Sequence, residues 1–274
     1  MNKIGIVGCG WLGLPLAKTL IKKGFSINGS TTSKKKISIL EKSGIQPFLF
    51  SLPTSSDILR ECVQVDILII NIPPGRKDPK VAENFPLKVK SILDIIPSHT
   101  KILFVSSTSV YGELKGEVDE KKRPKPSTAS GKALLEVELK IQNDLTRDGT
   151  KWSRRSTILR LSGLVGGSRI PGRFFSGKND VPLGEAPVNL VHRDDCIRFI
   201  MGILEQEKWG EIYNLNCDTH PSKKAFYTKA CLDAGFDAPH FLLDGKDRKL
   251  INSDKIKADL KLELNHPDPM NFKF

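Results

Sequence analysis

The stretch that decides the fold is Ile4-Gly5-Ile6-Val7-Gly8-Cys9-Gly10-Trp11-Leu12-Gly13. It starts with an apolar run of strand type, and Leu14 to Lys23 continue with the periodicity of an amphipathic helix. Glycines spaced G-x-G-x-x-G between a strand and a helix predict a dinucleotide site. In such a site Gly8 permits a tight turn, Gly10 admits the pyrophosphate close to the backbone, and Gly13 lets the helix pack near the strand. We therefore expect the helix N-terminus to hold the phosphates.

Strands and helices keep alternating after this first unit, whose second strand is predicted over Phe25 to Ser30. Such alternation is typical of an α/β fold, with a Rossmann-type, doubly wound parallel sheet. Further strands are predicted over Gln46 to Phe50, Val65 to Ile72, Lys101 to Ser106 and Ser156 to Leu161, and helices over Lys34 to Ser43, Ser55 to Cys62, Ala82 to Ile96 and Thr128 to Thr146.

The pattern loosens into glycine, proline and arginine beyond Gly163. We expect residues 1–165 to form the dinucleotide-binding domain, with late elements at about 186–217 returning to it. Residues 166–274 are expected to form a small, interleaved substrate lobe at the C-terminal end. Within this region a helix is predicted from Asp194, a strand over Ile212 to Asn216 and a helix over Ser222 to Ala234.

The composition narrows the classes of protein. The chain has 274 residues and a formal charge of +12, which favours anionic ligands. Its Lys and Arg clusters lack interleaved aromatic residues, so nucleic-acid binding is not favoured. The five cysteines form no C-x-x-C pair and no histidine stands at metal-ligand spacing, so we predict a reducing compartment and no metal site. Without a signal-peptide pattern or a long apolar run, we expect a soluble, cytoplasmic protein.

The end of the second strand decides which dinucleotide is preferred. An acidic residue there would hold the ribose hydroxyls of NAD, and none is present. Ser30-Thr31-Thr32-Ser33-Lys34 offers hydroxyl groups and a cation instead, which suits a 2′-phosphate. We therefore predict NADP in preference to NAD. Thr32 or Ser33 could also cap the helix that begins at Lys34, and the two roles are compatible.

Several motifs downstream occur in the order typical of one superfamily. They are Phe104-Val105-Ser106-Ser107-Thr108-Ser109-Val110-Tyr111-Gly112, Arg160-Leu161-Ser162-Gly163-Leu164-Val165-Gly166, Val188-Asn189-Leu190-Val191-His192-Arg193-Asp194-Asp195 and Glu211-Ile212-Tyr213-Asn214-Leu215. From residue 3 to about 260 the chain resembles the extended short-chain dehydrogenase/reductase superfamily, of the NAD-dependent epimerase/dehydratase type. It departs from that superfamily's usual G-x-x-G-x-x-G loop, since Val7 stands where the loop would begin.

The resemblance implies catalytic positions, and one of them is altered. Ser107 corresponds to the hydroxyl that binds the substrate oxygen, with Thr108 beside it, although a strand-end hydroxyl can also satisfy its own backbone. The family's Tyr-x-x-x-Lys pair, which works as an acid/base, is replaced by Ser130 and Leu134. Lys132 is no substitute, because two residues rotate it by about 200° around a helix. The chain therefore resembles an atypical branch.

Loops at strand ends supply further candidates. Asn71-Ile72-Pro73-Pro74-Gly75-Arg76 follows the fourth strand, where the resembling family passes its backbone beside the cofactor, and its prolines predict a rigid wall. Arg169 and Arg173 are candidates for gripping an anionic substrate, with a solvated loop as the alternative.

Three more side chains have less specific patterns. Tyr111 is expected to form part of the wall of the site rather than to act as an acid. His192 is expected to be packed and hydrogen-bonded rather than to act as a base. Asp194 or Asp195 is expected to cap the helix that runs through Met201.

The leading hypothesis is an NAD(P)-binding oxidoreductase or epimerase-like enzyme acting on a nucleotide sugar or another anionic carbonyl or alcohol compound. The alternative is a non-catalytic NAD(P)-binding sensor or partner-binding module. The resemblance also implies a homodimer through the two long helices. The catalytic candidates are Ser107 and Ser130, the substrate candidates are Ser107, Thr108, Arg169 and Arg173, and the predicted cofactor contacts are Gly8, Gly10, Trp11, Leu12, Gly13, Thr31, Thr32, Ser33, Lys34, Ile72, Pro73, Pro74, Ser106, Leu161 and Ser162.

Overall fold

A computed structural model describes residues 3–75, 77–144, 149 and 151–273. The strands are β1 (Lys3–Val7), β2 (Ser26–Thr31), β3 (Gln46–Leu49), β4 (Ile67–Ile70), β5 (Lys101–Ser107), β6 (Gly116–Val118), β7 (Ser156–Leu161), β8 (Gly163–Val165), β9 (Leu190–His192), β10 (Ile212–Leu215) and β11 (Lys249–Ile251). The α-helices are α1 (Gly13–Lys22), α2 (Ile37–Lys42), α3 (Asp57–Cys62), α4 (Val81–Leu93), α5 (Ala129–Asn143), α6 (Arg193–Glu205), α7 (Lys223–Asp233) and α8 (Asp254–Leu260). No helix in the described part of the chain could span a bilayer.

Seven of the strands form one sheet, in the order β3-β2-β1-β4-β5-β7-β10. The pairings of β1 with β2, β1 with β4, β2 with β3 and β4 with β5 are all parallel. The chain winds outward from β1 to β3 and then resumes on the other side of β1 with β4. This reversal is the switch point at which open α/β sheets bind ligands, and the predicted doubly wound fold is confirmed.

Burial explains why these segments take these structures. Every residue of β4 is buried, as expected for a central parallel strand covered on both faces. Helix α1 buries Leu16, Ala17 and Leu20, which recur at helical spacing, against the sheet. The apolar strand β4 belongs to the sheet, and α1 packs its apolar face on that sheet. These two layers hold the glycine loop.

Some predicted boundaries were wrong. The segment predicted as one helix over Lys34 to Ser43 divides into a 3₁₀ turn, Lys34–Lys36, and α2. The helix predicted to reach Ile96 ends at Leu93, where Ile95 N–H bonds to Ile92 in a tightened last turn before Pro97. The predicted end of another helix, Thr146, lies outside the described residues. Three three-residue strands were missed, namely β6, β8 and β11.

The chain separates into two compact units. Unit 1 comprises Met1–Val110, Pro126–Leu159 and Ile203–Ile212, and unit 2 comprises Tyr111–Lys125, Arg160–Gly202 and Tyr213–Phe274. Within unit 2, β6 pairs in parallel with β11 and β8 pairs in parallel with β9. The sequence predicts a boundary at residue 165 and the return of residues 186–217 to the first domain, whereas in the structure only 203–212 of that stretch belong to unit 1.

Candidate functional site

The glycine loop between β1 and α1 gives each of its glycines a different constraint. Gly8 has φ +108°, and a Cβ there would lie 2.6 Å from the Asn71 carbonyl oxygen. A Cβ on Gly13 would lie 2.3 Å from the Gly8 carbonyl oxygen. A Cβ on Gly10 would meet no heavy atom within 4 Å. Gly8 is therefore required by the turn and by close packing, and Gly13 by close packing. Gly10 leaves open space beside the backbone.

Hydrogen bonds from the neighbouring strands hold this loop. The Gly8 N–H donates to Ser30 Oγ at 3.0 Å, and the Cys9 N–H donates to the Ser30 carbonyl at 2.9 Å. The Asn71 side-chain amide donates to the Gly8 carbonyl at 3.2 Å. Because β2 and β4 both flank β1, the ends of three strands fix one turn.

A cavity of about 500 Å³ opens at this edge of the sheet. Among the described residues that line it, none carries a carboxylate. Burial raises the pKa of its Cys9 thiol to about 12, so the thiol is neutral in ordinary buffers. The lining residues are Val7, Gly8, Cys9, Gly10, Ser30, Thr31, Thr32, Lys36, Phe50, Ser51, Leu52, Ile72, Pro73 and Lys88.

Of the loop residues predicted to contact the cofactor, Gly8 and Gly10 line the cavity. Trp11, Leu12 and Gly13 follow them into the first turn of α1 and are not part of the lining. The first N–H groups of a helix lack the usual intrahelical partner. Here the Leu14 N–H already donates to the Gly10 carbonyl at 3.0 Å, and Pro15 has no N–H. The turn can therefore offer a phosphate the N–H groups that precede Leu14 and the positive end of the helix dipole.

At the end of β2 the structure brings Thr31, Thr32 and Lys36 to the cavity. Thr31 Oγ1 accepts the Ser33 N–H at 3.2 Å, and the Ser33 side chain makes no helix-capping bond. Lys34 is exposed and lies outside the lining. The 3₁₀ turn thus presents the third of three consecutive lysines to the cavity rather than the first.

The loop after β4 contributes Ile72 and Pro73 to the wall, while Pro74 follows outside the lining and Arg76 lies outside the described residues. The predicted contacts omit Val7, Cys9, Ser30 and Lys36, which flank predicted positions, and also residues 50–52 and Lys88. The sequence could have indicated residues 50–52, because they follow β3 at the carboxyl edge of the parallel sheet, where the glycine loop also lies. Lys88 lies within α4, where no sequence signal shows what that face meets.

The end of β5 is occupied by hydrogen bonds within the chain. The Ser106 hydroxyl donates to Glu138 Oε1 at 2.5 Å, and both residues are buried. Ser107 Oγ accepts the Ser109 N–H at 3.1 Å. Thr108 is buried where a 3₁₀ turn begins. Ser107 therefore satisfies its own turn as an acceptor, which leaves its hydroxyl proton uncommitted by this bond.

Helix α5 carries Ser130 and Leu134, the residues that the resemblance aligns with the Tyr/Lys pair. Ser130 is half-buried and its hydroxyl lies 3.4 Å from that of Thr128, which caps the helix by accepting the Gly131 N–H. Leu134 is buried and Lys132 is exposed. Ser130, Leu134 and Glu138 recur every four residues and so share one face, on which Lys132 is absent.

The remaining predicted site residues belong to unit 2. Leu161 and Ser162 are buried at the end of β7. The Arg169 guanidinium donates to the Leu164 carbonyl at 3.5 Å. Arg173 is exposed, with its guanidinium 5.8 Å from the Phe236 ring centre.

Tyr111 is fully buried in unit 2 and has a fixed hydrogen-bonding pattern. Its hydroxyl donates to Asn214 Oδ1 at 3.0 Å and accepts from the Arg160 guanidinium at 2.8 Å. Burial raises the pKa of Tyr111, and the neighbouring Arg160 charge only partly opposes this. A buried phenol that makes two hydrogen bonds within the chain has a structural role rather than a role in proton transfer.

His192 is buried in unit 2, with its ring centre 3.9 Å from that of His266. The expectation that Asp194 or Asp195 caps α6 was wrong, because α6 begins at Arg193 and His192 Nδ1 accepts the Asp194 N–H. Asp195 has another role. Its buried carboxylate accepts the N–H groups of Asn265 and His266, at 2.8 and 3.0 Å, because these donors lie outside any regular structure. Asp194 lies in the first turn of α6.

A doubly wound parallel sheet with a glycine loop at its switch point is the Rossmann-type fold, the fold of dinucleotide-binding domains. Residues 3–113 match the family described as the NAD binding domain of 6-phosphogluconate dehydrogenase. The chain is 39% identical over 279 residues to Protein YeeZ of Escherichia coli K12, with 98% of each chain covered. It therefore belongs to the family of Protein YeeZ.

Solved structures share the fold at lower identity. UDP-glucuronic acid 4-epimerase from Bacillus cereus, in complex with UDP-glucuronic acid and NAD, is 20% identical with a TM-score of 0.76, covering 96% of this chain and 94% of that one. dTDP-glucose 4,6-dehydratase from Bacillus anthracis, in complex with NAD, is 15% identical with a TM-score of 0.78, covering 98% and 94%.

Proposed function

We propose that this chain is a cytoplasmic NADP-dependent oxidoreductase of the epimerase/dehydratase type, with NADP bound in preference to NAD. The observation that carries the proposal is the cavity at the glycine loop, which combines two lysines with no carboxylate among its described lining residues. The bound nicotinamide would supply hydride transfer.

The charges in the cavity support the 2′-phosphate. Lys36 and Lys88 both border the cavity, and Thr32 beside them is exposed and carries a hydroxyl. A 2′-phosphate would be held by charge-assisted hydrogen bonds from these groups. NAD lacks this phosphate, and the carboxylate that usually holds its ribose is missing from the lining.

The substrate we propose is a nucleotide sugar or another anionic carbonyl or alcohol compound. The Bacillus cereus relative in fold is described in complex with UDP-glucuronic acid. Arg169 and Arg173 would hold the anionic group, and Ser107, with Thr108 beside it, would donate its hydroxyl proton to the substrate oxygen, since Ser107 Oγ accepts rather than donates within its own turn.

A homodimer through α4 and α5 forms part of the proposal. Leu87 on α4 and Leu139 on α5 are exposed apolar side chains on these helices. Burying them in a second copy would remove apolar surface from water. Sedimentation of the wild type and of the Leu87→Glu variant should give a dimer and a monomer, respectively.

The alternative is a non-catalytic NAD(P)-binding sensor or partner-binding module. It is favoured by α5, where a buried Leu134 replaces the lysine and Ser130 replaces the tyrosine. A serine hydroxyl without a neighbouring cation has too high a pKa to exchange protons near neutrality.

Calorimetric titration with NADPH and NADH tests the cofactor. We expect NADPH to bind at least tenfold more tightly, and Lys36→Gln and Lys88→Gln each to weaken NADPH about tenfold while leaving NADH unchanged, as loss of one charged hydrogen bond predicts. Lys34→Gln is the matched control, since Lys34 is exposed and outside the lining. Equal affinities for the two nucleotides would contradict the NADP assignment.

Turnover separates the enzyme from the sensor. A panel of carbonyl compounds and nucleotide sugars should give cofactor oxidation or reduction that Ser107→Ala lowers at least tenfold. If NADPH binds but no member of the panel reacts, and Ser107→Ala leaves NADPH affinity unchanged, the results favour a sensor and contradict the proposed enzyme.

A further inference from the structure

Three metal-binding side chains meet in unit 2, outside the dinucleotide cavity. One nitrogen each of His192 and His266 and a carboxylate oxygen of Asp194 lie within 4.8 Å of one another. We infer that these three residues bind one divalent transition-metal ion of the Zn²⁺ class, with water completing its coordination.

The three ligands come from different parts of the chain and are held in place. His192 ends β9, Asp194 lies in the first turn of α6, and His266 follows α8. The buried Asp195 carboxylate accepts the His266 N–H at 3.0 Å, so the backbone of His266 is fixed beside α6.

The His192 ring packs against Gly166, which has no side chain. A Cβ at Gly166 would lie 2.3 Å from His192 Nε2, so only glycine permits this position. On the other side, Asp194 Oδ2 lies 3.9 Å from His192 Nδ1. The Asp194 N–H donates to the same Nδ1 at 3.3 Å, a long bond that a metal could replace.

The Asp194 carboxylate is oriented by a neighbour. Arg193 Nε lies 3.4 Å from its Oδ1, while its Oδ2 is the oxygen near His192. Two ligands at Zn²⁺ distances in a tetrahedron are about 3.3 Å apart. Because the Asp194 side chain is 53% exposed, a small rotation can close the remaining gap.

The ligand types decide the class of ion. Two imidazoles and one carboxylate suit Zn²⁺, Ni²⁺ or Cu²⁺, whereas Mg²⁺ and Ca²⁺ prefer oxygen ligands alone. Three protein ligands leave one position for water. A bound ion would join the chain after α8 to the start of α6. Sequence spacing could not reveal this site because its histidines stand at positions 192 and 266.

The test is calorimetric titration of Zn²⁺ into the full chain after treatment with EDTA. We expect one equivalent to bind with micromolar or tighter affinity, and Asp194→Asn and His266→Gln each to weaken it 10- to 100-fold. Co²⁺ in place of Zn²⁺ should give a visible absorption band that His266→Gln removes. Mg²⁺ should not compete.

Asp180→Asn is the matched control, because Asp180 and His240 form an exposed histidine–carboxylate pair at 3.4 Å, and no third ligand joins them among the described residues. It should leave Zn²⁺ affinity unchanged. The proposal fails if no Zn²⁺ binds, or if Asp194→Asn has no more effect than Asp180→Asn. Circular dichroism checks that each variant is folded. If His266→Gln unfolds, the Zn²⁺ affinity of Asp194→Asn still tests the proposal, because the Asp194 side chain is exposed. NADPH binding is independent of these outcomes.

Discussion

The glycine loop over residues 8–13 and the α5 face formed by Ser130, Leu134 and Glu138 both belong to unit 1, yet they differ in what they retain. In the loop, Gly8 and Gly13 occupy positions that a Cβ would obstruct. On α5, a serine and a buried leucine stand where the resemblance to the extended short-chain dehydrogenase/reductase superfamily would place a tyrosine and a lysine. The difference teaches that holding a dinucleotide and transferring protons depend on separate parts, so one can persist while the other changes.

The largest effect is expected for Gly8→Ala. Its backbone strain and its contact with Asn71 should together lower the free energy of unfolding by about 4 kcal/mol and abolish NADPH binding. Urea unfolding and calorimetry measure the two effects. Gly24→Ala is the control, because Gly24 has φ +90° but open space around it, and should cost about 1–2 kcal/mol. Equal costs would show that crowding at Asn71 contributes nothing.

On the α5 side, Leu134→Ala should lower the free energy of unfolding by about 3 kcal/mol, because a buried side chain is removed. NADPH affinity should stay unchanged. Lys132→Ala, at an exposed position of the same helix, should change stability by less than about 0.5 kcal/mol. If Leu134→Ala instead weakens NADPH binding without destabilising the fold, the α5 face contacts the cofactor and the contrast breaks down.

Ser106→Ala tests the bond that joins β5 to the same α5 face. The buried Glu138 carboxyl loses a hydrogen-bond donor, so the free energy of unfolding should fall by about 2 kcal/mol. Ser107→Ala, at a half-buried position, should cost less than half as much. Thermal unfolding compares them, and the reverse order would contradict a structural role for Ser106.

The smallest effect concerns Cys9, which borders the cavity. With a pKa of about 12, only about one thiol in ten thousand is ionised at pH 8. Iodoacetamide should therefore leave Cys9 unmodified in the folded chain and label it in urea, as mass spectrometry would show. Labelling of the folded chain at the rate of a free thiol would mean that the loop opens.

Much of the fold was predictable because it rests on local patterns. The spacing of the three glycines between an apolar run and an amphipathic helix predicts the first βαβ unit, and the structure contains it. The three-residue strands β6, β8 and β11 could not be predicted, because their partners are distant in sequence and they are too short for periodicity to show.

The site was less predictable for the same reason. Thr31 and Thr32 follow from the strand end, but a 3₁₀ turn, rather than the predicted continuous helix, decides that Lys36 and not Lys34 borders the cavity. Lys88 arrives from α4, and its place depends on how that helix packs. The position of the Tyr111 hydroxyl is fixed by hydrogen bonds with Asn214 and Arg160, which are distant in sequence and so leave no local pattern.

The bonds that hold the glycine loop also influence the kinetics of binding. Gly8 and Cys9 are anchored to Ser30, and Asn71 is anchored to Gly8, through bonds that the folded chain makes by itself. The conformational entropy of this turn is therefore lost on folding, and the nucleotide meets a rigid receptor. Encounter then governs the association rate, and the net charge of +12 should accelerate it for an anionic nucleotide at low ionic strength.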